Sequence, residues 1–375
     1  MDDRANDLIA ALLGGRREEL EAANKAVLAS RRRCDRGLVG RVEAQVAASP
    51  SSAIAFDASG LATVSGAGRS FCGGRFALRS IGELAGALPL QASSRPRQIR
   101  FSTLLGASPL TDIGALQAFS APKSLFQVAS QFNCLEAPHA AVVPVAEYLH
   151  DPTQGPRAAI SAFPGALVRH YAAPAAGDER FVQSQARQVD LLAKALPAKL
   201  GRVRSGYLTL DSIADLTGTA RALEERFEDL QIGVHDEVEV VFGCDWDGAV
   251  DGPRRIAQVL TSTFAGGSYS RGARIAGDLE VVCRQLLRAA YLGTLLAAAA
   301  LGKRAVVLTM IGGGVFGNPH ALIWESILWA LDEAERRAPS ALEVVLNARL
   351  LGEDVSRTAV ASECQQRGGV LVDLG

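Results

Sequence analysis

The sequence predicts an α/β fold built on a largely parallel or mixed sheet covered on both faces. Three observations point there. Strand-like and helix-like patterns alternate through the C-terminal half, the arrangement that lays helices over a sheet. Residues 303–318, KRAVVLTMIGGGVFGN, run an apolar strand straight into a glycine-rich turn, and a helical pattern over 321–337 follows at once. The 375 residues are 48% hydrophobic and 21% charged, a composition that can bury a full core and does not suit a disordered chain.

From the N-terminus, residues 7–33 read as a helix, with leucines and alanines at helical spacing among charges. Residues 53–66, AIAFDASGLATVSG, give two short strands around a Ser-Gly turn. A short helix at 81–88, a strand at 98–104 and a second strand at 124–132 follow. Residues 137–156 hold four prolines and a glycine, an irregular stretch of the length usually reserved for function or mobility. An amphipathic helix is expected at 180–195, a strand at 206–210, a helix at 211–228, a strand at 237–242 and a helix at 253–263. The long apolar helix at 279–301 feeds the glycine-loop strand, and strands at 341–348 and 369–374 close the chain. No period of roughly 20–50 residues repeats, which argues against a solenoid. The one soft boundary lies near residue 50: residues 1–50 form a helical N-terminal extension and 51–375 the α/β domain.

The net charge of −1 leaves no electrostatic footprint for general nucleic-acid binding. The run Arg31-Arg32-Arg33 reads as a solvated helix end. The cysteines at 34, 72, 134, 244, 283 and 364 show no CxxC or Cys/His spacing, which fits reduced thiols in a cytoplasmic protein better than a zinc site or a disulfide framework. The opening MDDRAND lacks the charged and apolar regions of a signal peptide. The uncharged stretch 289–302 is shorter than the roughly 18–20 residues that span a bilayer, so it reads as a buried core helix, and no membrane partner is expected. No cofactor is called for.

Strand, glycine loop and helix together aim free backbone N–H groups at a phosphate. Gly312, Gly314 and Gly317 satisfy the spacing of the dinucleotide fingerprint, but the acidic ribose ligand roughly 20 residues on is missing. That position lies inside a helix, and the next strand offers Asn347 and Arg349. No Lys-Ser/Thr follows the glycines, so the loop is not a Walker A motif. It is either a tight structural turn or a cradle for a nucleotide diphosphate, and the apolar pair Val315-Phe316 suits a ligand with sugar or base faces to cover.

The small-residue helix AAYLGTLLAAAALGK, the strand AVVLTMI and the loop GGGVFGNP resemble, in that order, the second phosphate loop of the macrodomain family, across roughly residues 280–350. The resemblance implies a three-layer α/β/α mixed sheet, here with a helical N-terminal extension and insertions. It implies binding of ADP-ribose or of an ADP-ribosylated macromolecule, and hydrolysis of an ADP-ribosyl bond if the chain is an enzyme. By the same resemblance Asn133, at the exit of strand LFQVASQF, would hold the distal ribose. Gly312, Gly313, Gly314, Val315, Phe316 and Gly317, with Asn318 beside them, would wrap the diphosphate, Phe316 lying near that ribose. The poly(ADP-ribose) glycohydrolase branch adds a triple-glycine segment and paired glutamates after its asparagine; this chain offers only Glu136 there. The alternatives are a non-catalytic reader of the same ligand and another nucleotide-diphosphate enzyme using the same loop.

For chemistry, Glu136 at a strand exit could act as general acid or base at a glycosidic carbon, or else cap or salt-bridge locally. Asp112 is the second candidate for proton transfer, with a helix cap as the alternative. Asn133 could equally be a turn residue bonding its own backbone. Asp151 and Gln154, in the DPTQGP stretch, could reach a ligand or form an ordinary turn. Gly266-Gly267 followed by Tyr269 could offer a stacking ring or a plain surface loop. Asp245 and Asp247 could form a carboxylate pair, but no further ligands follow at metal-binding spacing. The histidines make no HxxxH motif, and His320 belongs to the first turn of its helix.

Overall fold

In the computed structural model, which describes residues 7–31, 35–89, 98–121, 123–175, 179–338 and 340–375, the apolar runs pair into one ten-stranded sheet. Its strands are β1 (Ile54–Phe56), β2 (Ala62–Gly66), β3 (Arg69–Ser80), β4 (Ile99–Leu105), β5 (Ser124–Ala129), β8 (Gln231–Phe242), β9 (Ala249–Thr261), β10 (Ala305–Thr309), β11 (Leu342–Arg349) and β12 (Leu371–Asp373). The short pair β6 (Ala173–Pro174) and β7 (Arg180–Phe181) stands apart. The order across the sheet is β1-β2-β3-β8-β9-β5-β10-β11-β4-β12. From β9 to β12 every neighbour is parallel, whereas β1 through β9 are joined antiparallel.

Burial follows that division. In β5 and β10 the residues Leu125, Phe126, Val128, Val306, Val307 and Leu308 are all buried, as continuous apolar runs covered on both faces should be. In β2 burial alternates with exposure, the mark of a strand with one wet face. Ile232 of β8 packs against Gly293 of the helix Asp278–Ala300, while His235 and Val238 pack against Gly165 of the helix Phe163–Tyr171. A bulge at Asp236 and Glu237, with Glu237 at φ 60°, explains why His235 and Val238 share a face despite their odd spacing. Helices therefore cover opposite faces of the sheet, as the α/β reading requires.

Several expected elements differ. Residues 253–261 belong to β9, with 262 and 263 just past its end, and none is helical: 256–260 are buried on both faces, and a short apolar run does not distinguish strand from buried helix. The helix expected at 180–195 is replaced by β7 and a series of turns. There the buried Gln183 donates to Asn133 O and Arg169 O, both at 2.9 Å, and such side-chain bonds hold the chain out of a helix. At 206–210 only an isolated bridge between Arg204 and Tyr207 forms. The expected helix at 211–228 shortens to Leu216–Glu225, capped by Asp215, which accepts from Gly218 N at 2.9 Å. The first helix is split in two by Gly15 at φ 63°. Arg32, Arg33 and Cys34 lie outside the described residues, and the other five cysteines are free.

The helix Asp278–Ala300 is long and apolar enough to cross a membrane, yet 83% of its most apolar window is buried inside the fold. It also clamps the end of β10. Gln127 of β5 donates to Ala290 O (3.2 Å) and Thr294 Oγ1 (3.3 Å) of that helix and accepts from Thr309 N (3.1 Å). The fully buried Tyr291 donates to Thr309 O (2.8 Å) and accepts from Ile311 N (3.2 Å). The peptide groups at which β10 leaves the sheet for the glycine loop are thus held by side chains. Tyr291→Phe leaves both buried backbone groups unpaired, so a loss of about 1–3 kcal/mol is expected. Urea unfolding measures that loss, and faster hydrogen exchange confined to residues 309–313 would separate the clamp from a general loss of packing.

Candidate functional site

The C-terminal ends of β5, β10 and β11 open into a cavity of about 430 Å³, a size and a location typical of ligand sites in α/β folds. Its wall includes Gln131, Glu136, Asp151, Gln154, Gly155, Tyr207, Tyr269, Thr309, the residues 312–316, His320, Asn347 and Arg349.

The glycine loop is braced from behind. Asn318, buried, donates to Phe264 O at 2.9 Å, and its N–H closes onto Gly312 O at 3.0 Å. Gly312 sits at φ 77°, where a Cβ would lie 2.5 Å from Thr263 Oγ1, so only glycine fits. His320 Nδ1 accepts from Gly352 N (2.6 Å), which assigns the proton to Nε2 and makes it the donor to Gly313 O (2.9 Å). Among the described residues, no acceptor meets the N–H groups of Gly314, Val315 and Phe316, while Gly313 N and Gly317 N are used inside the turn. Gly314 has open space where a Cβ would stand, and Val315 is 66% exposed. This is a cradle of free donors with an apolar rim, suited to an anion.

Three rings stand beside it. Tyr207 stacks on Tyr269 at 5.1 Å, and Phe316 meets both edge-on at 5.9 and 5.4 Å. Gln131 donates to Ala137 O and to Tyr207 OH, each at 2.7 Å, which fixes its amide and leaves Oε1 buried without a partner.

Glu136 is buried in the same wall. Its Oε1 has no partner, and Oε2 lies so close to Gly155 that a Cβ there would stand 2.6 Å away. Burial pushes its carboxyl well above the ordinary range of about 4.5; Arg169 opposes that shift, and the charge of Asp151 adds to it. Burial thus favours the protonated form of a carboxyl in the cavity wall.

Of the sequence-predicted residues, Glu136, Gln154, Gly312, Gly313, Gly314, Val315 and Phe316 line one cavity. Gln154 accepts from Ile113 N at 2.9 Å through its oxygen, leaving its NH2 as the free end. Gly317 and Asn318 support the loop from outside the wall. Asn133 is not brought to the cavity: its oxygen accepts from Leu135 N (3.0 Å) and its nitrogen donates to Gln188 Oε1 (2.8 Å), a turn that bonds its own backbone. Nor does Asp112 face it. That side chain caps the helix Ile113–Phe119 through Ala115 N (3.2 Å) and is paired with Arg157, so both its oxygens serve the scaffold. Asp112, Cys244 and Asp245 place ligand atoms within 4.8 Å of one another, but Arg157 bridges both carboxylates and already supplies the compensating charge.

Gln131, Thr309, Asn347 and Arg349 were not singled out as site residues. The signal for them is position: each stands at or just past the C-terminal end of a parallel strand, as the glycine loop does.

No protein-family model matches the chain, and no curated protein matches it in sequence. Among solved structures it is similar to poly(ADP-ribose) glycohydrolase from Thermomonospora curvata, at 13% identity over 88% of this chain and 98% of that one, with a TM-score of 0.38. It is also similar to the Deinococcus radiodurans poly(ADP-ribose) glycohydrolase in complex with ADP-ribose, at 15% identity over 78% and 93%, with a TM-score of 0.39. The likeness to these structures is a coarse one.

Because the folded state keeps the Glu136 proton that the unfolded chain releases near pH 4.5, this group makes stability fall as pH rises from there through its raised folded value. Glu136→Gln carries no titrating proton, so its urea midpoint should gain on the wild type over that interval and match it more closely in acid. Parallel midpoints across the whole range would contradict a buried, protonated Glu136.

Proposed function

We propose that the chain binds ADP-ribose, free or attached to a macromolecule, and hydrolyses a glycosidic ADP-ribosyl bond. The observation that carries this reading is Glu136: a buried carboxyl whose Oε1 has no partner, in the wall of the cavity that also holds the glycine cradle, with its proton held more tightly by burial. The free N–H groups of Gly314, Val315 and Phe316 take the diphosphate. Gln131 Oε1, with its nitrogen already committed, can only accept, and so suits a ribose hydroxyl. It fills the role expected of Asn133. The ring cluster of Tyr207, Tyr269 and Phe316 covers the sugar.

In the reaction the anomeric C–O bond breaks as Glu136 gives its proton to the departing oxygen. Water then adds to the oxocarbenium carbon, and the proton it loses returns to Glu136. The cradle keeps the diphosphate still while charge develops at the sugar, so the donors act without reorganising.

Calorimetric titration with ADP-ribose tests the ligand: micromolar binding is expected, and Gly314→Glu should abolish it while leaving the melting temperature near wild type, because residue 314 faces open space. Absence of binding by the folded wild type would overturn the reading. Release of ADP-ribose from an ADP-ribosylated protein tests the chemistry. Glu136→Gln should lower the rate by about 10²-fold or more, and wild-type turnover should fall as pH rises through the Glu136 titration. Tight binding with no turnover would make the chain a reader.

A further inference from the structure

One wall of the cavity is held in place by a residue that does not line it. Glu43 lies on the helix Gly37–Ala48, ahead of the first strand of the sheet. It is buried, and its two carboxyl oxygens meet three donors. Oε1 accepts from Val145 N at 2.5 Å and from Tyr171 OH at 2.9 Å, and Oε2 accepts from Ala146 N at 2.7 Å. Val145 and Ala146 open the short helical turn Val145–His150. The first N–H groups of such a turn find no partner within it. The residue in the capping position is Pro144, whose side chain has no acceptor to offer. Glu43 therefore supplies the missing cap from 102 residues away in the chain.

Little else holds the chain before this turn. Among the described residues, the only bonded N–H groups between Pro138 and Pro144 are those of Ala141, to His139 O at 2.7 Å, and Val142, to Gln185 Oε1 at 3.2 Å. After the turn the chain passes through Asp151, Thr153, Gln154 and Gly155, all in the cavity wall. At Gly155 it lies so close to Ala129 O and Glu136 Oε2 that a Cβ would stand 2.6 Å from each. The far end of the segment is fixed by Arg157, whose Nη1 bonds both Asp112 and Asp245. Residues 151–155 thus hang between two anchors, Glu43 in front and Arg157 behind, and rest on Glu136.

We infer that Glu43 is a positioning residue of this site, capping the turn Val145–His150 so that residues 151–155 stay seated on Glu136. The inference rests on the reading of Glu136 as the proton donor. A carboxyl is required because each of its oxygens meets a backbone N–H. Glutamine would turn its NH2 toward either Val145 N or Ala146 N, setting one donor against another. Without the cap the front of the segment is free, and Glu136 loses the neighbour that fixes its place against a bound sugar. The cradle at 312–316 stands on β10 and the helix His320–Arg337, outside this segment, so it keeps its shape.

Two measurements on the full chain test this. Hydrogen exchange should find the amides of Val145 and Ala146 protected in wild type. Glu43→Gln should speed exchange over 145–155 by about tenfold or more, while β10 keeps its wild-type rates. Release of ADP-ribose from an ADP-ribosylated protein should then slow by about tenfold or more, with the calorimetric Kd for ADP-ribose little changed. Tyr171→Phe removes the third donor and neither backbone bond, so it should match wild type throughout. Unprotected amides at 145 and 146 in wild type overturn the inference. So does a folded Glu43→Gln that exchanges like wild type there, loosens without slowing release, or loses binding and release together. Should Glu43→Gln not fold, Glu43→Asp, which keeps the carboxyl and shortens its reach, takes its place with the same expected results. A wild type that neither binds nor releases ADP-ribose overturns the proposed function and the positioning role with it, whereas exchange still decides whether the cap exists.

Discussion

The site depends on one buried guanidinium. Arg169, on the helix Phe163–Tyr171, is 1% exposed, and no carboxylate lies within ion-pair distance of it among the described residues. A charge so placed is tolerable only when hydrogen bonds meet it. Its Nε donates to Cys134 O at 3.1 Å, and its Nη1 donates to His235 Nδ1 at 3.1 Å and Gln258 Oε1 at 3.4 Å. Since arginine can only donate, His235 Nδ1 must accept. His235 therefore carries its hydrogen on Nε2 and donates to Gly73 O at 2.7 Å. Burial, and then the charge of Arg169, hold that imidazole well below its ordinary range, in the neutral form this arrangement requires. One side chain thus ties a helix, two strands and the loop bearing Glu136 into a single rigid body.

The wall of the cavity also gathers several polar atoms that the fold leaves without a partner. Gln131 Oε1, Glu136 Oε1, Thr309 Oγ1 and Asn347 Oδ1 are buried and unpaired, and all four belong to lining residues. Thr309 and Asn347 are also register partners across β10 and β11. Glu43 is treated differently, accepting from Val145 N, Ala146 N and Tyr171 OH, while other buried atoms away from the cavity, among them Gln117 Oε1, Trp246 Nε1 and Glu343 Oε1, are unpaired as well.

The sheet strands with both faces covered were legible because an apolar run bounded by glycines has few other readings; β10 and its loop were the clearest. The run 256–260 was not, since without alternation a buried strand and a buried helix look the same. Segment 180–195 had helical spacing but folds by long-range bonds from Gln183, which no local pattern encodes. Sequence reasoning reached the cavity wall where chemistry and spacing coincide, at Glu136 and at Gly312, Gly313 and Gly314. It was misread at Asn133, because the turn over 131–135 points Gln131, two residues earlier, into the cavity. Asn347 and Arg349 acquire meaning only once the sheet sets their strand beside β10.

The strand order also constrains how a new copy of this protein comes into being. β4 and β5 are neighbours in the chain, yet in the sheet β10 and β11 lie between them. Nothing can bridge that gap until residues 305–349 have left the ribosome. Such non-local parallel pairing is slow to form and exposes apolar strands while it waits. Glu136, Gln131 and Tyr207 all precede residue 305, but the glycine loop joins them only when β10 pairs with β5. Until β10 and β11 arrive, the facing edges of β4 and β5 stay unpaired, which makes that stage of folding the one most open to misassembly.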